Sequence, residues 1–304
     1  MPQPQVVAVV GPTAAGKSDL AVDLALAVGG EVVNGDSMQV YRGMDIGTAK
    51  LTPDERRGVP HHLLDRLDVT EPATVAEFQG WARAAIDDCR ARGVVPVLAG
   101  GSALYLRAVL DDFEFPGTDA GVRARLEAEL GELGATALHA RLAEADPAAA
   151  EVILPSNGRR IVRALEVGEI TGRPYRANLP DHDYAYDDVV QVGLDVPRDV
   201  LDERIRLRVD KMWAAGLVDE VRSLESLGLR DGRTASRALG YAQVLRHLAG
   251  ACTEDEARED TVRGTRKFAR RQDTWFKRDP RIVWLPYDAP DLLDCARATL
   301  TLEA

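Results

Sequence analysis

The stretch Gly11-Pro-Thr-Ala-Ala-Gly16-Lys17-Ser18 constrains this chain more than any other. It fits G-x-x-x-x-G-K-[ST] and lies between a short β-branched run, Gln5–Val10, and a segment with helical apolar spacing at Leu20, Leu24 and Val28. A strand, a glycine loop and a helix in that order wrap successive backbone amides and a helix N-terminus around an anion. Lys17 adds a full positive charge, and the Ser18 hydroxyl is placed to ligate Mg²⁺. The pattern predicts a phosphate cradle made of Gly11, Pro12, Thr13, Ala14, Ala15, Gly16, Lys17 and Ser18. It says nothing yet about the chemistry done there.

Glu31–Asn34 reads as a second strand that ends just before Asp36. A capping box, Thr74 to Glu77, opens a helix to about Arg92 with Gly93 as its stop, and Val94–Ala99 is a buried strand ending at Gly100-Gly101. Strands alternating with helices predict an α/β fold with a P-loop-type parallel sheet core and helices on both faces. In such sheets ligands bind at the C-terminal strand ends, where Gly11–Ser18, Asp36 and Gly100–Ser102 all fall. From Asp112 to Asp188 the pattern is helical and rich in Ala, Arg, Glu and Leu, which predicts an inserted helical subdomain, 112–188, between core segments 1–111 and 189–304. Val189–Val196 returns to a strand pattern and Pro197 opens a helix through Trp213. Thr253 and Glu256 cap another helix, and Ile282–Leu285 is the last expected strand.

A length of 304 residues leaves room for one α/β domain with a substantial insertion. No apolar run approaches the roughly 20 residues of a membrane span, and no basic stretch followed by an apolar core precedes the glycine loop. A cytoplasmic protein, without membrane partners, is expected. Cys89, Cys252 and Cys295 lie too far apart for a C-x-x-C pair and read as packing or surface residues. A formal charge of −11 excludes nucleic-acid binding over the whole surface, so any such site must be local. Basic residues do cluster: Arg159, Arg160 and Arg163; Arg204, Arg206, Arg208 and Lys211; and Arg263 to Arg281, where eight basic residues stand against two acidic ones. Phe268 and Trp275, one heptad apart in that last cluster, read as core anchors, and Tyr105 and Leu106 as core. His61 and His62 point apart as neighbours and have no third ligand at a useful spacing, so a structural role is expected.

The segment from Asn34 to Lys50 is too polar and too rich in glycine for core and predicts a loop over the phosphate site. Asp36, at a strand end beside the cradle, is suited to be a metal ligand or a general base, and equally to be a turn or cap residue. A P-loop small-molecule kinase is the natural rival class for a glycine loop of this kind. That class expects an Asp at the end of a neighbouring strand, where Val94–Ala99 instead runs into Gly-Gly-Ser.

With these residues in view the chain resembles the tRNA dimethylallyltransferase (isopentenyltransferase) family. The motifs are GPTAAGKS at 11–18, DSMQVYRGMDIGTAK at 36–50, HHLLD at 61–65 and GGSALYL at 100–106. They continue with NGRRIVRALEV at 157–167, RVDKMWAAGLVDE at 208–220, RALGYAQ at 237–243 and TRKFARRQDTWF at 265–276. Ser18 and Ser102 stand where the family often has Thr, and both keep the hydroxyl. The zinc finger of eukaryotic members is missing, which points to the bacterial type. The resemblance implies transfer of a dimethylallyl group from dimethylallyl diphosphate to N6 of the adenosine immediately 3′ of the anticodon, with Mg²⁺ and by a monomer. Asp36 matches the general base, Ser102 a hydroxyl at the mouth of the reaction channel, and Arg208 a basic residue on the diphosphate. Asp36, Ser37, Met38 and Gln39, then Ser102, Arg159, Arg160, Ile161, Val162, Arg163, Arg237, Gly240 and Tyr241 match tRNA contacts, with Arg123 a further candidate. A related reading is an adenylate isopentenyltransferase acting on free nucleotides. The helical insertion and the basic C-terminal helix favour tRNA over it.

The chemistry asks for such residues. An adenine exocyclic amine is a poor nucleophile whose alkylation makes a cation, so a base must take a proton. A carboxylate with an ordinary pKa near ~3.9 is ionised and able to do so. Departure of diphosphate from an allylic carbon needs positive charge where negative charge grows.

Overall fold

The computed structural model describes residues 5–112, 115–175 and 182–300. It forms two compact units, 1–111 with 184–304, and 112–183.

The first unit begins with β1 (Val6–Val10), α1 (Lys17–Val28) and β2 (Glu31–Asn34), followed by β3 (His61–His62), α2 (Val75–Ala91), β4 (Pro96–Gly100) and α3 (Ala103–Leu110). The second unit holds α4 (Ala120–Ala145), α5 (Pro147–Val152) and α6 (Gly158–Thr171). The chain then returns to the first with β5 (Val189–Asp195), α7 (Arg198–Ala214), α8 (Leu217–Ser226), α9 (Tyr241–Leu248), α10 (Glu254–Phe276), β6 (Ile282–Pro286) and α11 (Leu292–Leu300).

The strands form one sheet in the order β3-β2-β4-β1-β5-β6, with every pair parallel. The alternation of side chains along a strand explains why both faces are covered. Val6, Ala8 and Val10 of β1 pack into a core with Phe78 of α2, Leu106 of α3 and Val221 of α8, while Val7 and Val9 pack with Leu20 and Leu24 of α1 and Ala296 of α11. A fully apolar strand such as Val6–Val10 fits nowhere but between two such layers. The expected α/β fold, a parallel sheet flanked by helices, is the one observed.

Capping chemistry sets several helix starts. The Thr74 hydroxyl accepts from the Glu77 amide at α2, and Thr253 with Glu256 forms the full box at α10. The two-residue β3 was not foreseen: His61-His62 has neither the length nor the β-branched content of a strand. It is ordered by pairing along β2, His62 against Val33. In the second unit α4 is broken at Gly134, whose backbone leaves helical geometry, and Leu126, Leu138 and Leu142 on its two halves pack against Ile161 and Leu165 of α6.

Candidate active site

Because all strands run the same way, their C-terminal ends lie together: Val10 pairs with Gly100 and with Gly193, and Asn34 with Ala99. The loops leaving these ends carry the expected site residues. After β1 the chain turns through Gly11–Gly16, with Ala14 at φ 65° and Gly16 at φ 104° delivering Lys17 to the first turn of α1. A left-handed Ala14 is a strained conformation for a residue with a Cβ, the kind of outlier that gathers at ligand loops.

Lys17 donates to the Pro12 carbonyl at 2.7 Å. Burial, then the neighbouring Arg208 guanidinium, push its ammonium down to about 7, against the opposing pull of the Asp36 carboxylate. Burial also lowers Arg208, while Asp36 and then Asp19 raise it. Lys17, Arg208 and Asp36 thus stand within mutual electrostatic reach, one acid with two desolvated cations. Arg204, one turn earlier on α7, donates to the Ala15 carbonyl at 3.2 Å and stacks its guanidinium over the Tyr287 ring.

Asp36 is fixed by its neighbours. Its amide donates to Asn34 Oδ1 at 2.9 Å and its own Oδ1 accepts from the Met38 amide at 2.8 Å. Asn34, buried beneath it, also donates to the Asp36 and Leu63 carbonyls. Ser37 bonds the half-buried Tyr105 hydroxyl, whose ring packs edge-on to Phe78. Leu106 is core, as expected.

The loop after Asp36 is held from below. Glu220 of α8 accepts from the amides of Asp45, Ile46 and Gly47 and from the Tyr241 hydroxyl. The buried Lys50 ammonium reaches the Tyr41 carbonyl, Asp45 and Asp65. Gln39 turns its amide NH₂ toward the Thr48 and Ala49 carbonyls, and Arg208 also donates to Thr48. Glu220 and Lys50 were not singled out from the sequence, and Arg204 entered only as one of a basic cluster; Lys50 closes the 36–50 motif and Glu220 the 208–220 motif, which were the signals available.

Ser102 is the N-cap residue of α3, yet its side chain makes no capping bond, so the hydroxyl is not committed to the helix. Ser18 lies exposed in the first turn of α1. A hydroxyl at this position can serve as one ligand of Mg²⁺, with phosphate oxygens and water supplying the rest, since that ion keeps much of its hydration shell. Arg237 is exposed, Gly240 is buried at the start of α9, and Tyr241 is buried beneath the 45–47 loop.

In the second unit the candidate RNA residues divide. Arg159 is exposed and Arg160 half-buried. Arg163 donates to the buried Glu166 carboxylate and the Pro116 and Gly117 carbonyls, and Arg123 donates to the same Glu166. Ile161 and Val162 are buried in the apolar core of this unit, so RNA contact by them would be through backbone.

One expectation, that Trp275 is a core anchor, is corrected, and the structural role expected of His62 is given its partners. Trp275 is 44% exposed and is no core anchor; it lies among Arg270, Arg271 and Arg278 on the solvent side of α10, because Phe276 takes the inward position. His62 does meet further groups: Glu31 at 2.7 Å and the Cys89 thiol at 3.8 Å, brought from β2 and α2 by the tertiary fold. Arg92 already forks onto both Glu31 oxygens and holds that carboxyl down at about 2, while burial pushes the Cys89 thiol up to about 12. A protonated thiol and an occupied carboxylate make this a closed ion-pair network joining sheet and helix.

The basic face of α10 is also less bare than its sequence. Arg263 pairs with Asp260, Arg258 with Asp255, and Arg266 and Arg270 reach Asp202 of α7. These side chains, with Lys267, line a groove of about 800 Å³ between α10 and α7.

A parallel α/β sheet that brings a glycine loop, an acid and two cations to one strand-end cluster has the architecture of enzymes that take phosphorylated ligands. Residues 39–279 match the IPP transferase family, and the chain belongs to it. It is 69% identical to a tRNA dimethylallyltransferase of Thermobifida fusca over 96% of this chain and 93% of that protein. Its structure is similar to the crystal structure of a Bacillus halodurans tRNA isopentenylpyrophosphate transferase, with TM-score 0.71 and 40% identity over 98% of this chain and 97% of that one. It is also similar to a eukaryotic dimethylallyltransferase acting on tRNA, with TM-score 0.85 and 26% identity over 97% of this chain and 77% of that one.

Proposed function

We propose that the chain is a tRNA prenyltransferase that moves a dimethylallyl group from dimethylallyl diphosphate to N6 of the adenosine immediately 3′ of the anticodon and releases diphosphate. The observation that carries the reading is that the glycine loop entering α1 and Asp36 leave neighbouring C-terminal strand ends of one parallel sheet, with Lys17 and Arg208 within electrostatic reach. The loop amides and the two cations offer a place for an anion, and a diphosphate supplies it.

The loop amides, Lys17 and Arg208 hold the diphosphate and neutralise the charge that grows on its bridging oxygen as the allylic C–O bond breaks. Asp36, oriented through Oδ1 by the Met38 amide, accepts a hydrogen bond from the N6 amine and then its proton as the C–N bond forms. Ser18 would be the protein ligand of a Mg²⁺ ion, which would supply further charge neutralisation. Ser102 bonds the adenosine at the channel mouth.

The adenosine enters splayed out of its loop, as single-stranded RNA bases are read. Gln39, whose NH₂ is engaged below, keeps a carbonyl oxygen for the base edge. Arg159, Arg160, Arg237 and the α10 face grip the backbone, and the exposed Trp275 ring amid arginines is suited to stacking. Arg123 and Arg163 serve by shaping the second unit around Glu166. No helix among the described residues is long and apolar enough to cross a membrane. Action in the cytoplasm as a monomer completes the reading.

Incubation with dimethylallyl diphosphate and either an anticodon stem-loop or AMP, with products weighed by mass spectrometry, tests it. A gain of one prenyl unit on the stem-loop and hardly any on AMP is expected. Comparable efficiency on both would transfer the assignment to a free-nucleotide enzyme.

A further inference from the structure

Gln272 takes no part in the mechanism above, yet it is the most unusual side chain of α10. It is buried, and its amide is engaged at two places far away in sequence. Its Oε1 accepts from the Thr13 amide at 2.9 Å, and its Nε2 donates to the Gly101 carbonyl at 2.7 Å. Thr13 belongs to the phosphate loop. Gly101 precedes Ser102, the hydroxyl at the channel mouth. One side chain therefore ties both strand-end loops to the helix that carries the basic RNA-facing residues.

Two further features show that the contact is built in. A Cβ on Gly101 would come within 2.6 Å of Gln272 Nε2, so a residue without a side chain is what lets the amide approach the carbonyl. In a loop that cradles an anion each amide is available to the ligand unless another acceptor claims it. Gln272 claims that of Thr13, which decides that the anion is met by the amides that follow.

We propose that Gln272 is a positioning residue for prenyl transfer: it sets which loop amides face the diphosphate, fixes Ser102 relative to them, and makes both depend on how α10 is seated. This rests on the tRNA prenyltransferase reading. The primary amide accepts from Thr13 and donates to Gly101 at once; Met keeps the volume and loses both bonds, and ionised Glu keeps the acceptor but faces the Gly101 carbonyl with a negative charge.

The test uses Gln272→Met and Gln272→Glu in the full chain. It measures the affinity for inorganic diphosphate, the affinity for an anticodon stem-loop alone, the single-turnover rate with dimethylallyl diphosphate, and thermal unfolding. Misplacement of reacting groups by about 1 Å costs on the order of 10²-fold in rate, so a loss of that size is expected for Gln272→Met. Its diphosphate affinity should fall several-fold and its stem-loop affinity stay within about twofold, because that surface is untouched. Gln272→Glu should lose more diphosphate affinity than Met through like charge.

A folded Gln272→Met variant that transfers within about threefold of the parent overturns the proposal, as general loss of stem-loop affinity in both variants does. Should Met fail to fold, Gln272→Glu decides: diphosphate affinity lost with stem-loop affinity kept supports positioning, and loss of both rejects it. A parent protein that binds diphosphate but leaves the stem-loop unmodified would instead overturn the tRNA reading, with the diphosphate arm still testing Gln272.

Discussion

The Arg208 guanidinium stands close enough to the Lys17 ammonium to repel it, and with burial as the larger cause this leaves Lys17 at about 7 where an ordinary lysine titrates at 10.5. Two cations crowded together with too little anion are an unfavourable arrangement for the ligand-free protein and a favourable one for a diphosphate.

The sign of the resulting pH dependence follows. Diphosphate favours the charged form of Lys17 and raises its pKa, so binding takes up a proton wherever the free protein has lost one. Proton uptake should be near zero at about pH 6 and approach one at about pH 8, measured by titration calorimetry in buffers of different ionisation enthalpy. The fraction assigned to Lys17 should vanish in Lys17→Met. For folding, the depressed value means that the unfolded chain binds more protons between about 7 and 10.5, so this group's contribution to stability rises with pH across that window. Uptake independent of pH would remove Lys17 from the diphosphate site.

Asp36→Asn keeps the bond from the Met38 amide, since the amide oxygen still accepts, and abolishes the base. Single-turnover transfer should fall by ~10²-fold or more while stem-loop affinity changes little. A near-normal rate would show that proton removal is managed elsewhere.

Glu166 is buried and holds Arg123 and Arg163. Glu166→Leu leaves two guanidiniums without their anion and should destabilise the second unit by about 1–3 kcal/mol, less than breaking a fully buried pair because both arginines keep partial access to solvent. Hydrogen exchange localised to α4 and α6 checks it. Intact protection there would mean that the arginines find solvent without cost.

Neutralising Arg266, Lys267 and Arg270 together should flatten the dependence of stem-loop affinity on salt, by roughly 0.7 to 0.9 in log–log slope for each RNA phosphate that no longer meets a cation. The Asp202 carboxylate already answers part of the charge of Arg270, and its backbone carbonyl holds Arg266 in place, so the change should be smaller than three fully engaged cations would give. An unchanged slope would place the RNA on another face.

Sequence alone determined the parts whose cause is local. The strand, glycine loop and helix at 6–28, the capping boxes at Thr74 and Thr253, and the apolar runs of β4, β5 and β6 follow from side-chain volume, φ preference and spacing of a few residues. That the glycine loop and Asp36 fall at one end of the sheet was legible for the same reason: parallel strands send their loops to one end. Tertiary structure alone decided what depends on groups far apart in the chain. Gln272 reaches Thr13 and Gly101, Glu220 clamps the amides of 45–47, and Arg92 closes Glu31 against His62 and Cys89. Trp275 and Phe276 are adjacent aromatics on one helix, and one faces solvent while the other is buried because only packing against the sheet distinguishes their sides. Hydrophobicity and periodicity name a face of a helix, but which neighbours occupy that face is set by the packing of the folded chain.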